Sequence, residues 1–311
     1  MLTRRSALAL TLVLALAACA QPTASSSFAP VPRDAPAADT GITLAENAGP
    51  TLLVLSLDPG APGENSVLVA LRDPGGKVVP GSVRVTLALE GDAPTAVALS
   101  GSAGDRRGTL VVPGAGHATL TAQIVDGPSA GGSVTFRADL PVEPTPPGFL
   151  GVLDRSMNAL RTLRETQTLA SVSVSYLFRY EYVAPDRVRY TFVSADGRQH
   201  ETRIIGPTRF DRDTGSEWST SDLGLASRVP NFSYADRSYR VRVIGREREG
   251  AQDLLVVALV QRGSVDLHYR LWVGARDHLV RRYVMMALGH YMSGTYGAYD
   301  AAIDIAAPGG N

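Results

Sequence analysis

The sequence predicts an all-β sandwich followed by an α+β half, in which one helix precedes a long antiparallel meander. Three observations lead there. NSVLVALRD, SVRVTLALEG, GTLVVPG, HATLTAQIV and SVTFRADL are short β-rich runs divided by Gly- and Pro-rich turn clusters. Phe149, Leu153, Met157, Leu160 and Leu163 then recur at the three-and-four spacing of a helix face, predicting a helix over 149–169. After that the pattern returns to longer strand-like runs, from SVSVSYLFRYEYV to YMSGTYGAYDAAIDI, joined by hairpin-like connections such as SADGRQ. One helix ahead of such a meander covers a single sheet face.

The chain of 311 residues carries 30 basic and 30 acidic residues, and 44% of it is hydrophobic. That length suits two modest domains. The charge balance excludes nucleic acid as a partner, since phosphate binding demands a basic surplus. A single cysteine, Cys19, excludes any internal disulfide.

Residues 1–18 have the layout of a secretory signal: Arg4 and Arg5 first, then a short apolar run from Ala7 to Ala18, too short to span a bilayer. Leu16, Ala17, Ala18 and Cys19 then resemble the lipobox of bacterial lipoproteins. The resemblance implies a diacylglyceryl group on the Cys19 thiol, cleavage before Cys19, and a place in the bacterial cell envelope. The protein would sit on the outer membrane, facing the periplasm, or on the extracytoplasmic face of the cell membrane. Two or more acyl chains, at about 0.8 kcal/mol per buried methylene, give lasting attachment. Residues 19–47, rich in Pro, Ala and Ser, read as a disordered tether.

Residues 48–142 form the predicted sandwich. Val83, Val85 and Leu87 alternate with Ser82, Arg84 and Thr86, one buried face against one wet face. The run LDPGAPGENSVLVALRDPGGKVVPGSVRVTLALEG resembles the immunoglobulin-like domains of bacterial copper-resistance and YtkA-like proteins. His117 is the only histidine in this half, with no Met or Cys beside it, so the likeness does not extend to a copper site. The proline-dense 143–148 reads as an extended linker.

Residues 149–308 make the second domain. MNALRTLRETQTL, then APDRVRYTFVSADGRQHETRIIGPTRFDRDTGSEW, then YRLWVGARDHLVRRYVMM and YGAYDAAIDIAAP resemble, in that order, the lipoprotein-carrier superfamily of LolA/LolB-like and LppX-like lipid-binding proteins. The resemblance implies a curved antiparallel half-barrel whose helix closes a cavity for an acyl chain or similar apolar ligand. Such a pocket needs large apolar side chains and no buried charge. The ligand-lining candidates are Met157 and Leu160 of the helix, Val172, Val174, Tyr176 and Phe178 of the first strand, Trp218, and Leu271, Val284 and Met286 of later strands. A core filled by its own residues carries the same periodicity.

Met286, His290 and Met292 form the alternative, a copper(I) site, because thioethers and imidazole suit a soft ion. Met285 and Met286, being adjacent in a strand, point to opposite faces. No nucleophile elbow, zinc-protease motif or phosphate-binding loop occurs, so no catalytic residue and no cofactor is expected. The reading is a non-enzymatic lipoprotein anchored through Cys19, carrying an apolar ligand in its second domain, with the sandwich as a spacer or a surface for an envelope protein partner. A metal-handling protein and a ligand-free scaffold are the alternatives.

Overall fold

The computed structural model describes residues 41–73, 77–101, 105–171, 175–193, 197–237, 239–261, 266–287 and 290–309. Cys19, the signal and most of the tether, together with Val172 and Val174, lie outside the described residues.

The first strands are β1 (Ile42–Ala48), β2 (Thr51–Asp58), β3 (Gly63–Arg72), β4 (Val83–Leu89), β5 (Thr95–Ser100), β6 (Asp105–Val112), β7 (Gly116–Ile124) and β8 (Ser133–Leu140). They form one eight-stranded sheet in the order β1-β2-β3-β6-β5-β4-β7-β8. The sheet turns at β5: Thr95 to Val97 pair with β4, and Ala98 to Ser100 with β6. Gly108 allows the approach there, since a Cβ on it would stand 2.3 Å from the Ala98 carbonyl oxygen. Leu53, Leu55, Val67 and Val69 thereby share a core with Val85, Leu87, Leu120 and Phe136. Strand β1 corrects the tether boundary: residues 42–47 are paired along their length with β2. TLAENA has few strand-forming residues, and its hairpin partner TLLVLSL supplies the apolar pattern.

The second sheet has twelve strands. They are β9 (Glu143–Pro144), β10 (Thr162–Ser171), β11 (Ser175–Val183), β12 (Arg187–Val193), β13 (Gln199–Ile205), β14 (Thr208–Asp213), β15 (Ser219–Asp222), β16 (Arg240–Glu249), β17 (Gln252–Gln261), β18 (Leu267–Gly274), β19 (Val280–Ala287) and β20 (His290–Gly297). Their order is β15-β14-β13-β12-β11-β10-β20-β19-β18-β17-β16-β9, antiparallel and curved into a nearly closed half-barrel. The proline-dense segment enters this sheet, with Glu143 and Pro144 paired to Val243 and Arg242 at its edge.

Helix α1 (Phe149–Asn158) is shorter than expected. It presents Phe149, Leu153 and Met157 to the core. The stretch expected to continue it to residue 169 instead enters strand β10, in the middle of the sheet between β11 and β20. Its period is two, with Leu163, Glu165 and Gln167 buried, but two of those three are polar and the apolar alternation is hidden. Leu160 and Leu163 are buried as expected, Leu160 from the connection after α1 and Leu163 from β10.

Two polar side chains of α1 fasten the loop ahead of β16. Asn158 accepts from the Phe232 N–H (2.7 Å) and donates to its carbonyl (2.8 Å). Asp154 accepts from the N–H groups of Tyr234 (2.9 Å) and Ala235 (2.7 Å), at the 3-10 turn Tyr234–Asp236.

The described residues belong to one compact unit. Ile244, Leu254, Val256, Ala258 and Trp272, on the convex face of β16–β18, are part of the same core as the first sheet. Arg270 pairs with Glu46 at 2.8 Å across this junction.

Candidate ligand site on the concave face

Strand pairing assigns the concave face row by row. One row runs Tyr296 on β20, Glu165, Tyr180, Tyr190, Thr202 and Asp211 on β14. The next runs Gln167, Phe178, Phe192, His200 and Asp213 in one direction, and Gly294, Tyr283, Leu271, Val257 and Val243 in the other. The chemistry changes along these rows.

Beneath α1 the face is dry and filled. Leu153 and Met157 pack on Leu163, Val243, Val257, Leu259, Leu271, Val273 and Val280, all buried. Farther along, the wall is aromatic: Phe178 lies 5.6 Å from Tyr180 in a stacked pair and 5.1 Å from Phe192, and Tyr180 lies 5.3 Å from Tyr190. Phe178 is buried, while Tyr176, Tyr180, Tyr190 and Phe192 are half-buried. Rings in offset contact of this kind form a broad apolar surface with few soft rotors.

The β13–β14 end is polar. His200 contacts Asp213 through Nδ1 (2.9 Å), and Asp211 (3.2 Å) and Thr202 (3.1 Å) through Nε2. Arg209 holds Asp211 in a forked pair at 2.6 and 2.9 Å. The hydrogen bond to Asp211 is the main force raising the His200 pKa. Burial pushes the Asp211 carboxyl up, but hydrogen bonds from His200, Arg209 and Thr202 outweigh it and hold the pKa at about 2. Thr202 is fully buried, which removes it as a nucleophile despite its contact with His200.

Between the filled and aromatic parts sits Glu165, 7% exposed. Tyr283 donates to its Oε1 at 2.6 Å and Tyr182 to its Oε2 at 2.9 Å, while Gln167 Nε2 donates to the Tyr283 hydroxyl at 2.7 Å. Burial raises the Glu165 pKa, with the two tyrosine hydrogen bonds acting against it. Between the unfolded pKa and the raised folded one, the unfolded chain has lost a proton that the folded chain keeps. This group therefore lowers stability as pH rises through that window, and the loss levels off above it. Glu165→Gln removes the titration. The variant is expected to melt close to wild type at pH 4 and at a higher temperature than wild type at pH 8, by thermal unfolding in matched buffers. A constant offset across pH would refute this.

The sequence candidates separate into groups. Met157, Leu160 and Leu271 lie in the filled core beneath the helix. Tyr176 and Phe178 stand on the aromatic wall, 6.0 Å apart. Trp218 lies against the guanidinium groups of Arg212 (4.5 Å) and Arg203 (4.9 Å), away from this wall. Val284 and Met286 face the first sheet: Met286 packs with Ala45 and Leu52, and Val284 with the shared core. The copper alternative is corrected by the register. Met292 pairs with Met285 and His290 with Ala287, which puts both on the face opposite Met286. Among the described residues, no three His, Cys, Asp or Glu side chains gather to hold a metal.

Sequence reasoning missed Glu165, Gln167, Tyr180, Tyr182, Tyr190, Phe192, Tyr283 and Tyr296. A signal for some was present: SYLFRYEYV places Tyr176, Phe178, Tyr180 and Tyr182 at every second position, an unbroken aromatic face.

The fold and site define a curved antiparallel half-barrel with one helix packed on its concave side and an aromatic tract beside it. No protein-family model and no curated protein matches the chain. Among solved structures, it is similar to the lipoprotein LppX of Mycobacterium tuberculosis, with 12% identity and a TM-score of 0.41, over 52% of this chain and 100% of that one. It is also similar to LprF from Mycobacterium bovis, with 13% identity and a TM-score of 0.40, over 54% of this chain and 100% of that one.

Proposed function

We propose that this protein is a non-enzymatic envelope lipoprotein, tethered through a lipidated Cys19, that binds an apolar, lipid-like ligand against the aromatic wall of its half-barrel. The observation that carries the reading is the run of Tyr176, Phe178, Tyr180, Tyr190 and Phe192, rings in mutual contact on a concave surface. An acyl chain laid there exchanges water for carbon, at about 25 cal/mol per Å² of apolar area removed. Concave, mostly apolar surfaces with a few polar groups are where small ligands bind. The filled core under α1 directs the ligand to the β11–β12 side.

A fluorescent fatty-acyl probe tests this with the full-length protein. Saturable binding, displaced by unlabelled acyl chains, is expected for wild type. Phe192→Ala should weaken it about tenfold, as loss of one aromatic contact predicts, and Trp218→Ala should leave it unchanged. Absence of saturable binding in wild type would leave the ligand-free scaffold as the reading.

The anchor is tested separately. Cys19→Ser is expected to move the protein from the membrane pellet to the aqueous fraction and to abolish labelling by radioactive palmitate. Unchanged fractionation and labelling would refute lipidation.

A further inference from the structure

The Glu165 cluster is more than the half-barrel needs for closure. Asp154, the other acid near the same core, is accounted for by two backbone N–H groups that it holds. Glu165 holds no backbone. Its partners are the two tyrosine hydroxyls, and among the described residues no Arg, Lys or His pairs with it. A buried carboxyl without a counter-charge is costly, and a pair of apolar side chains would close the same strands more cheaply.

Its surroundings are specific. Tyr180 and Tyr296 flank Glu165 on the neighbouring strands β11 and β20. The Tyr296 ring lies 5.4 Å from Tyr283 and 5.6 Å from Phe232, and Tyr182 stacks on Tyr180 at 5.8 Å. Aromatic rings gathered near a lone carboxyl suit a positive group of low hydration, one that cation–π contact and a counter-charge both stabilise. An anion would meet the carboxyl head-on. Among the described residues, no group of three His, Cys, Asp or Glu side chains gathers there to hold a metal ion.

One member of the cluster, Tyr296, also borders the surface. An open cleft of about 560 Å³ has Tyr296 in its wall, together with Leu279, Tyr299 and Thr295. Its two arginines are already matched: Arg281 with Asp277 while lying 4.6 Å over the Tyr299 ring, and Arg282 with Glu247. The cleft therefore does not repel a cation.

We infer that the Glu165–tyrosine cluster is the head-group site of the half-barrel, and that it selects amphiphiles bearing an organic ammonium, the tail lying along the aromatic wall. The inference rests on the apolar-ligand reading above and names the ligand class for that site. Binding a cation draws the Glu165 carboxyl into its ionised form; the groups facing it are Gln167 on β10, Tyr180 and Tyr182 on β11, Tyr283 on β19, Tyr296 on β20 and Tyr234 of the 3-10 turn. None of these supplies a competing positive charge.

The test is titration calorimetry of the full-length protein with three single-chain amphiphiles of equal tail length, kept below micelle formation. One carries a trimethylammonium head, one a hydroxyl and one a sulfate. Wild type is expected to bind the ammonium compound about tenfold more tightly than the hydroxyl compound, and the sulfate more weakly than both. Glu165→Gln should erase the ammonium preference while leaving the hydroxyl affinity in place. Tyr296→Leu keeps the carboxyl and both its hydrogen bonds, and should reduce the preference several-fold, so the result does not depend on one variant folding. Equal affinity of wild type for all three, or a preference that survives in both variants, overturns the inference alone. Binding of none of them overturns the apolar-ligand reading and the inference with it.

Discussion

Gly294→Ala is expected to destabilise the protein by about 2–6 kcal/mol, out of proportion to one added methyl. A Cβ at position 294 would stand 2.5, 2.6 and 2.7 Å from Cε1, Cζ and Oη of Tyr283. The ring is not free to retreat, because its hydroxyl is held by Glu165 and Gln167 and its body is buried. Overpacking of a rigid core costs about 1–3 kcal/mol. Displacing the ring also strips one hydrogen bond from a buried carboxyl, for another ~1–3 kcal/mol. Urea unfolding measures the sum. In a Tyr283→Leu background, where the ring is gone, adding Gly294→Ala should cost about 1 kcal/mol or less. This non-additivity is the signature of direct contact. Equal penalties in the two backgrounds would place the effect elsewhere.

The second large effect concerns the junction of the two sheets. Residues 41–309 are expected to unfold in a single calorimetric transition. A chain beginning at residue 143 should aggregate when produced alone, since it exposes Ile244, Leu254, Val256, Ala258 and Trp272, all now buried in the shared core. Exposed apolar patches of this kind drive association. Trp272→Ala should lower the stability of the whole unit by about 3–5 kcal/mol, the usual cost of emptying a buried tryptophan site. Two separated transitions, with only the later one moved by Trp272→Ala, would show that the halves are independent domains. The boundary at 143–148 would then be a linker in the energetic sense as well as in composition.

The sequence was most legible where burial and hydrophobicity coincide. Strands β4 and β8 alternate cleanly, and their burial follows the alternation residue by residue. The start of α1 at Phe149 follows from its apolar spacing. Tyr176 and Phe178 were readable as face-sharing neighbours for the same reason.

Legibility failed where polar groups are buried or where the strand period slips. In β10, Glu165 and Gln167 occupy inward positions, so the hydrophobic count favoured continuing the helix. In β19 a bulge opposite Trp272 and Val273 changes the phase: Trp272 pairs with Arg282, but Val273 pairs with Val280. Val280 and Tyr283 consequently share the concave face, while Val284 and Met286 turn toward the first sheet. An alternation counted onward from Val280 assigns those two to the opposite side, since a one-residue slip exchanges every face.

By itself, then, the amino-acid order determined the β-rich architecture, the position of one helix and the apolar texture of the second half, because those depend on local period and composition. Tertiary structure alone decided that a glutamate would sit among tyrosines inside the barrel, and that the convex face of β16–β18 would close the core of the first sheet. Both depend on which strands become neighbours, and pairing between residues more than a hundred positions apart leaves no local trace: Tyr283 reaches Glu165 across 118 residues, and Arg270 reaches Glu46 across 224.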